Sequence, residues 1–337
     1  MVTIKMIAEA CGVSMSTVSK ALNNNPDLRS STTARVRRMA AEMGYMPNAA
    51  ARALKTSRTY CFGIIYEEAM KYGLNQEYFT RILTSFVSQS EELGYDVFLL
   101  GDKLANRALS YVEHARYRNC DGIFIISGMD SIKRIVDEMR TLDRPVVCVD
   151  YHFEGFGSVI SDNDRGMRDL VRYVFDQGHR RIAFIHGQDS RVTKLRMDSF
   201  HQACRALNVR VPREYLVSAR FHDPESTAEA TKFLMSLSNP PTCILFPDDY
   251  AYIGGMNELS RRGLSIPRDI SAAGYDGIDM SQAIRPRLTT IRQDAEAMGI
   301  AAAKMLVETA ECDPPYNLSS LLIPGRLLPG ETVRRLP

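Results

Sequence analysis

From Tyr60 onward the chain alternates short apolar runs with amphipathic helical stretches, and no other feature restricts its fold as tightly. The runs fall at 61–66, 95–100, 122–126, 146–149, 182–186, 243–246, 271–274 and 321–324. Each is too short for a typical helix and reads as a strand. Between them lie helical stretches at 76–93, 164–177, 194–207, 226–237, 250–261 and 295–309. Strand, helix and strand in alternation call for parallel sheets covered on both faces. The chain of 337 residues exceeds one simple core. The long span divides near Ser161 into two similar α/β lobes. Folds of this kind bind ligands outside the carboxyl ends of their strands, and two-lobed ones bind them between the lobes.

The first 58 residues follow a different pattern. They hold nine Lys/Arg against three Asp/Glu, whereas the remainder holds 33 against 37, and the whole chain sums to +2. A basic head on a mildly acidic body suits a nucleic-acid-binding arm. Thr3 can cap a helix over Ile4–Cys11 that places Ile4, Ile7 and Ala8 on one face. Gly12 permits a left-handed turn, and Ser14 opens a second helix over Met15–Leu22 with Val18 and Leu22 turned toward Ala8. A small Ala, then a turn Gly, then a buried Val at this spacing is what a helix-turn-helix needs. Asn23-Asn24-Asn25-Pro26 forms a loop. Ser30 or Ser31 starts a third helix to about Met43, with Val36, Met39, Ala40 and Met43 on its apolar face, and Gly44 closes it. The Ala-rich stretch 48–57 favours a helix too short to be stable alone.

Two segments, "TIKMIAEACGVSMSTVSKALNN" and "GYMPNAAARALKTSRT", closely resemble the headpiece and hinge of the LacI/GalR family of bacterial transcriptional regulators. The resemblance implies that Met15, Ser16 and Lys20 face base edges in the major groove. It implies phosphate contacts from Ser14, Thr17, Ser19, Asn23 and Tyr45. It further implies that Leu54 of a hinge helix wedges into the minor groove with Lys55 alongside. The groove chemistry agrees: Lys20 can donate to guanine, Ser16 can donate or accept, and Met15 offers an apolar contact. Met6 stands where family members usually carry Asp.

The blocks "CDGIFIIS", "SDNDRGMRDLVRYVFDQGHRRIAFI", "PDDYAYIGGMNEL" and "ISAAGYDGID" extend the resemblance over nearly the whole chain. They imply a periplasmic-binding-protein-like α/β core made of two parallel-sheet, Rossmann-like subdomains, behind an all-α headpiece and hinge helix. By that resemblance residues 1–58 are the headpiece and 59–337 the effector-binding and dimerisation core. The N-subdomain covers about 60–160 and 290–323, and the C-subdomain about 161–289 and 324–337. An effector site then gathers Tyr78, Phe79, Asp150, Arg196, Asp248 and Asp276, with Phe200 as an aromatic near Arg196. Carboxylates, a guanidinium and an aromatic suit a sugar or polyol, and a purine or other metabolite remains open. The chain departs from the family at Asp248, where Asn is common, at Ala295, where some relatives place an aromatic, and at "LNQEYFTRIL", which lacks the family's Pro.

Other classes fit poorly. Seven cysteines are scattered without C-x-x-C pairs or His at metal-ligand spacing, so no metal or cofactor is expected. No phosphate loop and no nucleophile elbow occurs, so an enzyme is not expected. Asp162-Asn163-Asp164 caps the following helix rather than binding calcium. A transport-binding protein would need a signal peptide and would have no use for a basic head. No apolar run is long enough for a membrane span. The expectation is a cytoplasmic homodimeric repressor, without a leucine-heptad tail for tetramers, bound to double-stranded operator DNA and controlled by a small molecule that is most simply a carbohydrate.

Overall fold

A computed structural model describes residues 2–23, 25–46, 58–66, 76–104, 107–127, 132–316 and 318–337. The chain divides into two compact units, Met1–Thr59 and Tyr60–Pro337. Among the described residues the first unit holds three helices, α1 (Ile4–Cys11), α2 (Met15–Leu22) and α3 (Ser30–Glu42). The Thr3 hydroxyl accepts the Met6 amide at 3.4 Å, and Ser14 Oγ accepts the Thr17 amide at 3.1 Å. Between these caps Gly12 adopts φ 62°, the left-handed conformation that favours glycine. Ile7, Ala8, Val18, Ala21, Val36 and Ala40 are buried together, with Leu22, Met39 and Met43 packed around them. The expected hinge, including Leu54 and Lys55, lies outside the described residues.

The second unit contains two six-stranded sheets. The first takes β1 (Cys61–Tyr66), β2 (Asp96–Leu99), β5 (Gly122–Ile126), β6 (Val146–Val149), β7 (Gly157–Ser161) and β13 (Ser320–Ile323), in the order β13-β7-β6-β5-β1-β2 and parallel throughout. A small antiparallel pair, β3 (Lys103–Leu104) and β4 (Arg107–Ala108), follows β2. The second sheet takes β8 (Ile182–His186), β9 (Leu216–Ser218), β10 (Cys243–Leu245), β11 (Ser271–Asp276), β12 (Thr289–Arg292) and β14 (Arg326–Leu328), in the order β14-β12-β11-β10-β8-β9. Only β14 runs antiparallel in that sheet.

Helices cover both faces of each sheet. The first lobe carries α4 (Glu77–Glu92), α5 (Tyr111–Arg118) and α6 (Ile132–Met139), and the second carries α7 (Asn163–Asp176), α8 (Arg191–Ala206), α9 (Pro224–Leu234), α10 (Asp249–Arg261) and α11 (Asp279–Ala283). After β12 the chain returns to the first lobe as α12 (Ala295–Ala310), which packs along α4. Phe62, Ile64 and Tyr66 point from β1 into the cluster under α4 and α12, while Ile65 points into the opposite cluster with Tyr111 and Ile135. Each lobe thus has three layers, as strands apolar on both faces require. The chain crosses between lobes three times, after Ser161, after Arg292 and after Ile323. The second crossing comes slightly later than the boundary expected near 290, because β12 pairs with β11 in the register Ala273↔Thr289 to Asp276↔Arg292.

Candidate functional site

Two sites emerge, one in each unit. In the first, α2 buries Val18 and Ala21 and turns Met15, Ser16 and Lys20 outward. Met15 is 57 % exposed, a large apolar side chain left in water on an otherwise polar helix face. Ser16 and Lys20, four apart, lie side by side on the helix, and Met15 stands about 100° around from Ser16 on the same exposed side. Ser14 and Thr17 are linked by a 2.9 Å hydroxyl contact at the start of α2, and Asn23 Nδ2 donates to the Ser19 carbonyl at 2.7 Å at its end. Tyr45 is half-buried at the edge of the headpiece core. None of α1, α2 and α3 has an acidic residue in its first turn. Their amino ends therefore keep the positive field that attracts phosphate.

The second site lies between the lobes of the core, at the carboxyl ends of their strands. On the first lobe Asp150 follows β6 and has φ 58°. Its Oδ1 accepts the Ser161 amide at 2.9 Å, and its Oδ2 accepts the Tyr78 hydroxyl at 2.8 Å. On the second lobe Arg196 projects from α8. Its Nε donates to Asn163 Oδ1 at 2.7 Å and its Nη1 to the Pro247 carbonyl at 2.9 Å, while Nη2 lies 3.8 Å from Asp276 Oδ1. The guanidinium stacks on Tyr275 at 3.6 Å and lies 5.9 Å from the centre of the Phe221 ring. Asp276 ends β11 with φ 100°, and Gln293 Nε2 donates to its Oδ1 at 2.7 Å. A non-glycine residue at such a φ is strained. Both cleft carboxylates are held this way, at positions where the surrounding structure dictates the backbone.

Burial governs the charges. It pushes the Asp150 carboxyl above its usual value, against the hydrogen bonds from Ser161 and Tyr78 and the fields of Arg196 and Arg191. It raises Asp276 to about 6, where Arg196 and His222 oppose the rise and Asp248 adds to it. The Tyr78 hydroxyl is raised by burial and by Asp150, and it also responds to Asp276 and Arg196 on the other lobe. The two half-sites therefore share one electrostatic environment.

Of the residues expected in the effector site, Tyr78 and Asp150 meet on one lobe, and Arg196 and Asp276 meet on the other. Asp248 plays a different part. Its Oδ1 caps α10 by accepting the Ala251 amide at 2.7 Å, and its Oδ2 accepts the His222 amide at 2.9 Å. With 1 % exposure, it shapes the loop instead of offering acceptors to a ligand. Phe79 packs into the core against Tyr66 and Tyr78. Phe200 is also a core residue, against Phe184, and the aromatic beside Arg196 is Tyr275. Sequence reasoning missed Asn163, Phe221, His222, Tyr275 and Gln293 as site residues. Tyr275 and Gln293 carried a signal, since each ends a strand or directly follows one, whereas Phe221 and His222 stand in a loop without pattern.

A family profile for bacterial regulatory proteins of the lacI family matches residues 3–48, and one for a periplasmic binding protein-like domain matches residues 171–333. The chain is 29 % identical over 340 residues to the probable HTH-type transcriptional repressor ExuR of Bacillus subtilis strain 168, covering 100 % of this chain and 99 % of that one. It is 27 % identical to the HTH-type transcriptional repressor CytR of Escherichia coli K12, covering 99 % of this chain and 97 % of that protein. Among solved structures, the lac repressor dimer bound to operator and the anti-inducer ONPF superposes with a TM-score of 0.79 at 23 % identity, over 99 % of both chains. The transcriptional regulator CelR in complex with cellobiose gives 0.69 at 23 % identity, over 98 % of this chain and 100 % of that one.

Proposed function

We infer that this chain is a regulator of the LacI family and that it represses transcription as a homodimer under the control of a sugar or sugar derivative held between its core lobes. The observation that carries this reading is the union in one chain of a helix-turn-helix with an outward reading face and a cleft that gathers buried carboxylates around a stacked guanidinium.

On DNA, Met15, Ser16 and Lys20 read base edges in the major groove. Ser14, Thr17, Ser19, Asn23 and Tyr45 hold phosphates and set the register. Two protomers match a pseudo-palindromic operator by their shared two-fold symmetry. Leu54, with Lys55 beside it, opens the minor groove between half-sites. In the cleft, vicinal hydroxyls donate to Asp150 and Asp276 and accept from Arg196, while Phe221 offers an apolar face to a sugar ring. Tyr78 orients Asp150, and Phe79 and Asp248 support the walls. Ligand binding changes the angle between lobes and so biases the hinges, which couples effector and operator affinity. A DNA-bound regulator of this kind works in the cytoplasm.

The test is a fluorescence-anisotropy titration against a duplex from the chain's own promoter region, beside a scrambled duplex at one salt concentration. Saturable binding to the promoter alone is expected, and a sugar panel added to that complex reads the effector and the sign of its effect. Equal affinity for both duplexes, with and without a metabolite mixture, would remove the operator reading.

A further inference from the structure

Four charged side chains cluster where α4 of the first lobe meets α11 of the second. Arg81 Nη2 lies 2.8 Å from Glu77 Oε1 on its own helix and 2.5 Å from Asp279 Oδ2 on the other lobe. Glu77 Oε1 also accepts the backbone amide of Asp279 at 2.8 Å. From β12, Arg292 Nη2 reaches Asp279 Oδ1 at 2.6 Å, and its Nε donates to the Gly277 carbonyl at 3.0 Å. Gly277 makes this possible, because at φ 67° a side chain there would be strained and its Cβ would lie 2.4 Å from Arg292 Cβ. Asp279 thus holds one cation from each lobe, and Arg81 and Arg292 together keep its carboxyl below the usual range.

The position of this cluster matters more than its strength. Glu77 immediately precedes Tyr78, which binds Asp150. Asp279 shares the turn after β11 with Asp276, whose backbone is strained. The contacts therefore tie the two walls of the cleft at its rim, one step from the carboxylates on either side. All four side chains are partly exposed, from 25 % for Arg292 to 70 % for Asp279, so the tie is open to salt.

We propose that Glu77, Arg81, Asp279 and Arg292 form an ion-pair latch that holds the core lobes closed and that opens with rising ionic strength or with movement of the Asp276–Asp279 turn. Any ligand that draws Asp276 into the cleft acts on the latch through that turn. The latch sets the resting balance between closed and open lobes, and it does so whichever molecule the cleft accepts.

The test uses the full-length protein without ligand. Hydrogen exchange of the peptide containing Asp279 reports the amide held by Glu77, and solution scattering reports the separation of the lobes. Raising NaCl from about 0.1 M to about 1 M shortens the screening length from about 10 Å to about 3 Å. Wild type is expected to lose roughly tenfold protection at that amide and to expand. Arg81→Glu is expected to be unprotected and expanded already at the lower salt, because it meets both Glu77 and Asp279, whereas Arg81→Lys, which keeps the charge, is expected to retain both protection and compactness at that salt. Glu77→Ala gives the same comparison if charge reversal prevents folding. Identical exchange and scattering in wild type and variants at both salt concentrations would overturn the latch. Because no DNA or sugar enters these measurements, that result would leave the operator and effector assignments standing.

Discussion

Asp276 concentrates the chemistry of the cleft in one carboxyl. Its folded-state value near 6 lies above the ordinary 3.8, so the stability it contributes is complete in acid and is lost as pH rises through about 6. Asp276→Asn mimics the protonated form. It is expected to melt at the wild-type temperature near about pH 4 and above it near about pH 7.5, as calorimetry at the two pH values would read. Effector binding runs the other way, since the ionised carboxylate is the better acceptor for hydroxyls. Titration calorimetry is expected to find affinity falling as pH drops through about 6 in wild type, and in Asp276→Asn a weaker affinity that has lost the step near 6. A similar economy holds at Lys20. Its exposed amine contributes nothing to the headpiece core, so Lys20→Ala should leave the melting temperature unchanged. It should weaken specific binding by about 1–3 kcal/mol and relax base preference at one position of each half-site. An equal loss on scrambled DNA would make Lys20 a phosphate contact instead.

Elements carry these residues, and their packing decides how precisely. α4 bears Glu77, Tyr78 and Arg81 and lies along α12, where Gly299 permits a close crossing: a Cβ there would sit 2.3 Å from the Ile82 carbonyl oxygen. Gly299→Ala is expected to cost about 1–3 kcal/mol, the usual range for overpacking, and to shift α4 enough to weaken the Tyr78–Asp150 contact, as denaturant melts and effector titrations would record. The same elements explain what the sequence disclosed. The headpiece helices α1 and α2 were legible to the residue because caps, a turn glycine and apolar spacing all agreed. The long apolar strands were equally plain. β7 and β12 escaped notice, since "GSVIS" and "TTIR" look polar, yet Thr290 is fully buried and donates to Asp249 Oδ1 at 2.6 Å. A buried hydroxyl that finds an internal partner leaves no apolar signature. The cleft was half legible for a related reason: Asp248 and Asp276 both stood in recognisable blocks and Arg196 matched the family's ligand-binding Arg, yet Asp248 spends its oxygens on backbone amides. The hinge prediction also belongs to this scale. Leu54→Ala should weaken operator binding far more than scrambled-DNA binding, and equal losses would end the wedge role.

For the whole molecule, the charge split between basic head and acidic body makes the association electrostatic in origin. Operator affinity should fall steeply and linearly in log–log form with salt, because phosphate neutralisation releases counterions. A flat response in the anisotropy titration would count against DNA binding altogether. The architecture has a consequence for the order in which this protein can be made. The headpiece is contiguous in the chain and is complete by residue 59. Neither lobe of the core is, since the first waits for α12 and β13 and the second for β14, whose strand spans Arg326–Leu328. A ribosome therefore releases a finished DNA-reading module long before any effector pocket exists. A chain interrupted anywhere between residues 59 and 326 keeps the reader and lacks a complete sensor, so regulation is acquired after DNA reading as the nascent protein grows.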